Sequence, residues 1–539
     1  MTKQDGNNSQ IDFFTYISTF RSFLAKNTYL AAFCSIVALF IYGIKIFSYN
    51  ISMDTELFIG YHYTNWDSIG RYALIAFQKL ISVNRLNLFR ENFFAAFFLV
   101  LATLHWCHFL QFFSGKEEGK LATTVFATSY IVSGIWVEQF YFSLQSAEVS
   151  IILFFVPAVI ALHIDSLIHK NHLKLFTAIL CMAFFISVYQ SIIIFYATGL
   201  LIAFIFLSSR IGLTVKDGCI LIAHMLLGTI LYFIISKLLT VVLGVKSSSY
   251  LSKMTKPDRS YLLNFIKYCY ILGFGNNPLA STLFDNFMAK IARTGEQAVF
   301  ELHKQSYAIS NTAFYPAAAA YCFLIIRNKK YATIKKILLV LIPFTVLIFP
   351  AVCGGICLNR TQFVVPLVTA FIYFTILTNL SGNKKIIVAV MLLYCSYIQM
   401  QRSSTLFYCD QIRFESDLNL AQNIDKEIKK TDFTGKKVFL YGRFTPSYPY
   451  EFAYGEDIGK SMFNADSRHD IVDSTRRGIG FMRAVGFLYE PVEEDTDNML
   501  EAREHAKSMP HYPSEGYVEV YKNILIVKLS EEEIPDQPL

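Results

Sequence analysis

Apolar runs of membrane-spanning length alternate with short polar turns from about Thr28 to Met400, and beyond that point the pattern shortens to mixed helical and strand periods. At roughly 20 apolar residues per span, the pattern predicts about eleven membrane helices. They lie near 28–47, 93–113, 121–141, 147–167, 173–188, 191–208, 218–243, 306–326, 336–356, 362–380 and 385–400. The run 173–208 carries no charge after Lys174 and is too long for one span, so it divides at Tyr189-Gln190. Residues 69–92 place apolar positions at helical spacing with Arg71, Lys79, Arg85 and Arg90 between them, which fits an amphipathic helix in the membrane interface or one packed on the bundle.

After residue 400 the elements change. Ile412, Leu418, Ala421, Ile424 and Ile428 share one face of a helix over 411–430, VFLYG (438–442) reads as a strand, and Tyr517–Tyr521 with Ile524–Leu529 reads as a hairpin turning at Lys522-Asn523. The division predicts a transmembrane domain over 1–400 and a soluble α/β domain over 401–539. Outer loops are expected at 48–92 and 245–305, the second too long to be a plain connector.

Charge orients the spans. The turns GKEEGK (115–120), HKNHLK (169–174), SSRIGLTVKD (208–217), RNKKYATIKK (327–336) and SGNKK (381–385) are short and basic and alternate along the chain, which sets them and the N-terminus in the cytoplasm. The first apolar run has no small-residue cleavage pattern after it and reads as an uncleaved membrane helix. The segments 48–92 and 245–305 and everything after 400 then lie on the opposite face.

Composition agrees: 54% of residues are hydrophobic and only 17% charged, which excludes an ordinary soluble globular chain. The net charge of +7 divides into a basic membrane part and an acidic tail, and neither resembles a nucleic-acid binder. Most of the 10 cysteines sit inside apolar runs, and CGGIC (353–357) lacks the second ligand pair of a zinc site. No P-loop, dinucleotide fingerprint or HExxH occurs, and GFGNNP (273–278) is a turn.

The chemistry gathers in MDTELFIGYHYTNWDSIGRY (53–72), directly after the first span. Carboxylates beside a membrane are costly unless solvated or paired, so Asp54 and Glu56 point to a task. Their spacing suits a base with a helper carboxylate or a divalent-metal clamp, and both readings stand at this stage. His62 and Trp66 follow as candidate sugar contacts, and Arg71 as a candidate phosphate ligand. Arg360 sits between two apolar runs, where it can snorkel or bind an anion, and Tyr189-Gln190 is either a satisfied helix break or a polar contact to substrate. Glu138 and Glu148 flank another outer turn, with Trp136, Gln139, Tyr141 and Gln145 nearby. Without a nucleotide site, an outward-facing enzyme needs an already activated substrate arriving in the membrane plane.

Taken in order, MDTE (53–56), Trp66 with Gly70-Arg71, SVYQ (187–190), LNR (358–360) and FYCDQIRFESDLNLAQNIDKEI (407–428) resemble the bacterial serotype-converting glucosyltransferases, multi-pass enzymes of GT-C type architecture. The resemblance implies transfer of a sugar, usually glucose, from a polyprenyl-phosphate carrier to a surface polysaccharide or lipid-linked glycan, at the outer face of a bacterial cytoplasmic membrane. It implies Asp54 as the catalytic carboxylate with Glu56 as its partner, and Arg71 and Arg360 as phosphate ligands. No cofactor is implied, and metal assistance through Asp54 and Glu56 stays open. A polysaccharide polymerase or ligase is the nearer rival. A transporter of lipid-linked sugars is the more distant one, since no internal repeat is evident and both carboxylates follow a helix end.

Overall fold

The computed structural model describes residues 11–532, apart from positions 65, 118, 247, 312 and 436 and the stretches 83–85, 249–260, 275–310, 354–357, 432–434, 447–452, 465–470 and 493–496. Most of the predicted loop 245–305, much of the CGGIC pair and the turn GFGNNP fall outside the described residues. The chain divides into two compact units, Met1–Ile46 with Asn65–Ser404, and Phe47–Thr64 with Thr405–Leu539. The short segment that carries Asp54 and Glu56 thus belongs with the C-terminal residues, and the boundary read at residue 400 falls inside a continuous helix, Gly382–Ile428.

Among the described residues eight helices are long and apolar enough to cross a membrane, where the sequence predicts about eleven spans. The remaining three, His172–Val188, Phe314–Arg327 and Val364–Thr378, are shorter apolar helices. The helices take different places. Lys120–Tyr141 is 83% buried along its apolar window and Val215–Val242 only 17%, so the first packs inside the bundle and the second turns Ile230, Phe233, Ile234 and Leu238 outward. A run of large apolar side chains facing out, over a bundle that buries Glu91, Glu138, Gln139 and Glu148, inverts the pattern of a soluble protein. The chain is a polytopic membrane protein.

Breaks in the long apolar runs have local causes. Lys120–Ile131 and Gly134–Tyr141 are separate helices because Ser133 caps the second, and the Trp136 indole donates to the Tyr130 carbonyl across the break at 2.7 Å. The run 173–208 breaks where expected, at Tyr189–Ser191 between His172–Val188 and Ile192–Arg210. The Tyr72–Ser82 helix is packed on the bundle: Tyr72 bonds Thr240, the Ala73 amide donates to Ser187 Oγ, Gln78 donates to the Leu144 carbonyl, and Leu74 is buried.

One helix escapes a reading based on apolar runs. Phe13–Lys26 is only modestly apolar and, at 14 residues, shorter than a span, yet it is capped by Asp12 and lays Tyr16, Phe20 and Phe23 against the rings of His105 and His108. Asp165 holds its start, accepting from the Phe13 amide at 2.7 Å while pairing with Lys174 at 2.6 Å.

The second unit contains a four-stranded sheet in the order β2-β1-β4-β3, with β1 Lys437–Tyr441, β2 Glu490–Pro491, β3 Val518–Tyr521 and β4 Ile524–Lys528. β1 is parallel to both neighbours, and β3–β4 is an antiparallel hairpin whose turn uses Lys522 at φ 54°. Phe439 and Tyr441 point to a core shared with Met499, Ala502 and Ala506 of the Asp497–Ser508 helix, while Leu440 meets Gly478 of the Ile471–Ala484 helix on the other face. Covering on both faces explains why β1 is apolar without alternation. Lys528, buried in β4, donates to the carbonyls of Lys507 and Met509 and so closes the C-terminal end of the Asp497–Ser508 helix.

Candidate active site

The second unit holds the carboxylates. Asp54 is the residue before the Thr55–Tyr61 helix and stands at φ 67°, where a non-glycine residue is uncommon. An aspartate in this position ordinarily accepts from an amide of the first turn, but Asp54 makes no such cap. Its carboxylate meets Arg477 instead, Nη2 to Oδ1 at 2.9 Å, while Arg477 Nη1 donates to Glu56 Oε1 at 2.6 Å. Exposure is graded across the three side chains: Glu56 is fully buried, Arg477 is 14% exposed, and Asp54 is 46% exposed. Asp54 is the member a reactant can reach.

Burial pushes Glu56 up to about 7; the adjacent Arg477 opposes this and the Asp54 charge adds to it. Its second oxygen, Oε2, is buried without a hydrogen-bond partner among the described residues. The positive charge facing the pair is the Arg477 guanidinium, and no group of three or more metal-ligating side chains occurs among the described residues.

Two features hold this arrangement. The Ile471–Ala484 and Thr55–Tyr61 helices approach so closely that a Cβ on Gly60 would lie 2.9 Å from the Gly480 carbonyl oxygen, and Arg483 donates to the Gly60 carbonyl at 2.8 Å while its guanidinium lies over the Tyr61 ring. Upstream, fully buried Arg413 pairs with Asp410 (2.8 Å) and Asp417 (3.3 Å) and donates to Asn50 Oδ1 (2.9 Å) and the Ile51 carbonyl (3.1 Å). Asn50 returns a bond to Asp410 at 2.9 Å, and Asp417 also accepts from Ser461 and the Met462 amide. The chain entering Asp54 is therefore gripped three residues ahead of it. His62 ends the same helix in the left-handed region and packs edge-on to Phe58.

The first unit holds the arginines. Gly70 stands at φ 78°, and a Cβ there would lie 2.6 Å from Ser236 Oγ and 2.9 Å from Tyr232 OH, so only glycine lets this turn close on the Val215–Val242 helix. The Arg71 amide then bonds the carbonyl of Trp66, whose side chain is buried. The Arg71 guanidinium donates through Nε to Gln190 Oε1 (3.1 Å) and through Nη1 to Gln145 Oε1 (2.9 Å), and lies 4.3 Å from the centre of the Tyr189 ring. Gln190 is fixed in turn by the Ile69 carbonyl and Tyr232 OH. All these polar partners are neutral, and among the described residues no carboxylate pairs with Arg71. Arg360, in the turn Asn359–Thr361, lies 4.2 Å from the centre of the Phe142 ring, and the Gln145 amide bonds the Phe142 carbonyl. Arg71 and Arg360 thus flank one turn, and Phe363 joins them by packing on both Tyr189 and Trp136.

The profile of the family described as Glucosyl transferase GtrII matches residues 43–377, well over half of the chain and including Asp54, Arg71, Gln190 and Arg360. The chain belongs to the GtrII glucosyl transferase family. No curated protein and no solved structure is significantly similar to it. Membership makes this GtrII protein a membrane glycosyltransferase that acts on cell-surface polysaccharide.

The family match ends before 407–428 and so leaves Arg413 and Arg477 of this GtrII protein outside it. The first was within reach of the sequence, because Asp410, Arg413 and Asp417 fall on one helix face at i, i+3 and i+7. Arg477 was not. It follows another arginine in an acidic, glycine-rich region, and only the fold brings it to Asp54.

Proposed function

We propose that the chain transfers glucose from a polyprenyl-phosphate carrier to a cell-surface polysaccharide, of the O-antigen kind modified in serotype conversion, on the outer face of the cytoplasmic membrane. The observation that carries this reading is Arg71: a guanidinium held by two neutral amides and a tyrosine ring keeps its charge for an anion, and a lipid phosphate is the anion met in a membrane protein. Arg360, across the same turn, supplies a second cation. The basic turns at 115–120, 169–174, 208–217, 327–336 and 381–385 support the orientation, with the N-terminus in the cytoplasm.

In the proposed reaction Asp54 removes the proton from an acceptor hydroxyl, whose oxygen forms a bond to the anomeric carbon as the bond from that carbon to the phosphate oxygen breaks. The departing lipid phosphate leaves as an anion held by Arg71 and Arg360, so a strong general acid is not needed on that side. Glu56 is the partner that fixes Asp54 through their shared arginine. Tyr189 and Gln190 hold Arg71, and Trp66 supports the turn from which it projects.

The test is transfer of radiolabelled glucose from polyprenyl phosphate by purified wild type and Asp54→Asn of equal monodispersity. Loss of transfer in the variant alone supports the reading. Equal transfer by the two removes Asp54 from the chemistry, and no transfer from any polyprenyl-phosphate sugar removes the donor class.

A further inference from the structure

We propose that Arg477 is a positioning residue of the transfer reaction, holding Asp54 and Glu56 as one unit so that the Ile471–Ala484 helix completes the carboxylate centre. This rests on the reading of Asp54 as the base.

Three observations converge. First, Asp54 forgoes the capping bond its position offers, and its carboxylate takes Arg477 at 2.9 Å from a left-handed backbone conformation that non-glycine residues seldom adopt. A strained residue that gives up a local bond for one from a distant helix is placed by that bond. Second, the two ends of the guanidinium are unequal: Nη1 meets fully buried Glu56, and Nη2 meets the half-exposed Asp54. Glu56 anchors the arginine, and the arginine aims the aspartate. Third, Arg477, Gly480 and Arg483 recur every third residue along the side of their helix that meets Thr55–Tyr61. The glycine permits the close approach and Arg483 pins its far end, so the Arg477 head group is held at a fixed reach.

Arg477 could instead serve only to neutralise a buried glutamate, and that alternative makes a different prediction. Arg477→Ala is expected to lower kcat about 100-fold, the scale of a misplaced reacting group, with donor KM within about twofold. Added guanidinium ion should restore part of the rate, and Arg477→Lys, which keeps the charge but loses the fork, should be intermediate. The double variant Glu56→Gln/Arg477→Ala removes the buried charge together with its partner and so keeps the fold, yet it should remain slow. Recovery of wild-type kcat in that double variant would overturn the proposal, as would an Arg477→Ala enzyme with raised KM and normal kcat.

A second measurement needs no donor. Arg477→Ala should lower the thermal midpoint by less in an Asp54→Asn background than in wild type, and equal shifts in the two backgrounds would mean that the pair does not interact. If Asp54→Asn itself transfers sugar normally, it is the reading of the base that fails, whatever the result for Arg477.

Discussion

Arg477 Nη1 lies 2.6 Å from Glu56 Oε1, although the two residues are 421 positions apart in the chain. The contact is buried on the glutamate side, so its strength is set more by desolvation than by salt in the medium. It ties a short segment near the first membrane helix to a helix close to the end of the chain.

The protonation of Glu56 gives a pH dependence with a definite sign. Its folded value of about 7 stands above the ordinary 4.5, so between these values the folded state binds more protons than the unfolded one. Its contribution to stability is present below about pH 4.5 and is lost as pH rises toward 7. The thermal midpoint of Glu56→Gln should therefore fall less than that of wild type as pH is raised through this window, and parallel curves would contradict the assignment.

Arg413 has a larger structural stake. Removing one member of a fully buried ion cluster leaves the others uncompensated, so Arg413→Met should destabilise by about 3–5 kcal/mol. Unfolding in detergent measures this. A loss below about 1 kcal/mol, the worth of an exposed pair, would show that the cluster does not grip Asn50 and Ile51 as described.

Arg71→Lys keeps the charge but cannot reach Gln145 and Gln190 through separate nitrogens or stack on Tyr189 in the same way. The expected result is a rise of about tenfold in donor KM, or roughly 1.4 kcal/mol, with a smaller change in kcat. An unchanged KM would remove Arg71 from phosphate binding.

Gly70→Ala tests how that arginine is placed. The new methyl would meet Ser236 Oγ at 2.6 Å, and the backbone would keep φ 78°. Activity should fall, and Gly70→Ala/Ser236→Gly should recover only part of it, because the close approach to Tyr232 OH at 2.9 Å and a backbone strain of about 1–3 kcal/mol both remain. Full recovery would show that neither the Tyr232 contact nor the backbone conformation carries a cost.

The helices of the first unit were legible because a membrane imposes one rule, sustained apolarity, on every span. That rule also explains the miss at Phe13–Lys26, whose 14 residues are too few and too mixed to read as a span although Tyr16 and Phe23 are buried. The pairing of Arg71 with Gln190 was half legible, since both stood out as polar residues among apolar ones. Tyr232 was not, being one of several hydroxyls, with Thr229, Ser236 and Thr240, in a mostly apolar helix. The grouping of Phe47–Thr64 with residues after 404 leaves no trace in hydropathy, because buried ion pairs and a glycine contact make it.

Translation order adds a consequence to the grip of Arg413 on Asn50. The two lie 363 positions apart, so at roughly 5–20 residues per second the ribosome delivers the arginine about 20–70 s after the asparagine. Throughout that interval the segment leading to Asp54 lacks the partner that fixes it. On the proposed reading of Asp54 as the base, glycan transfer then waits until Arg413 has been delivered, and a nascent chain that stalls before it is expected to be inactive.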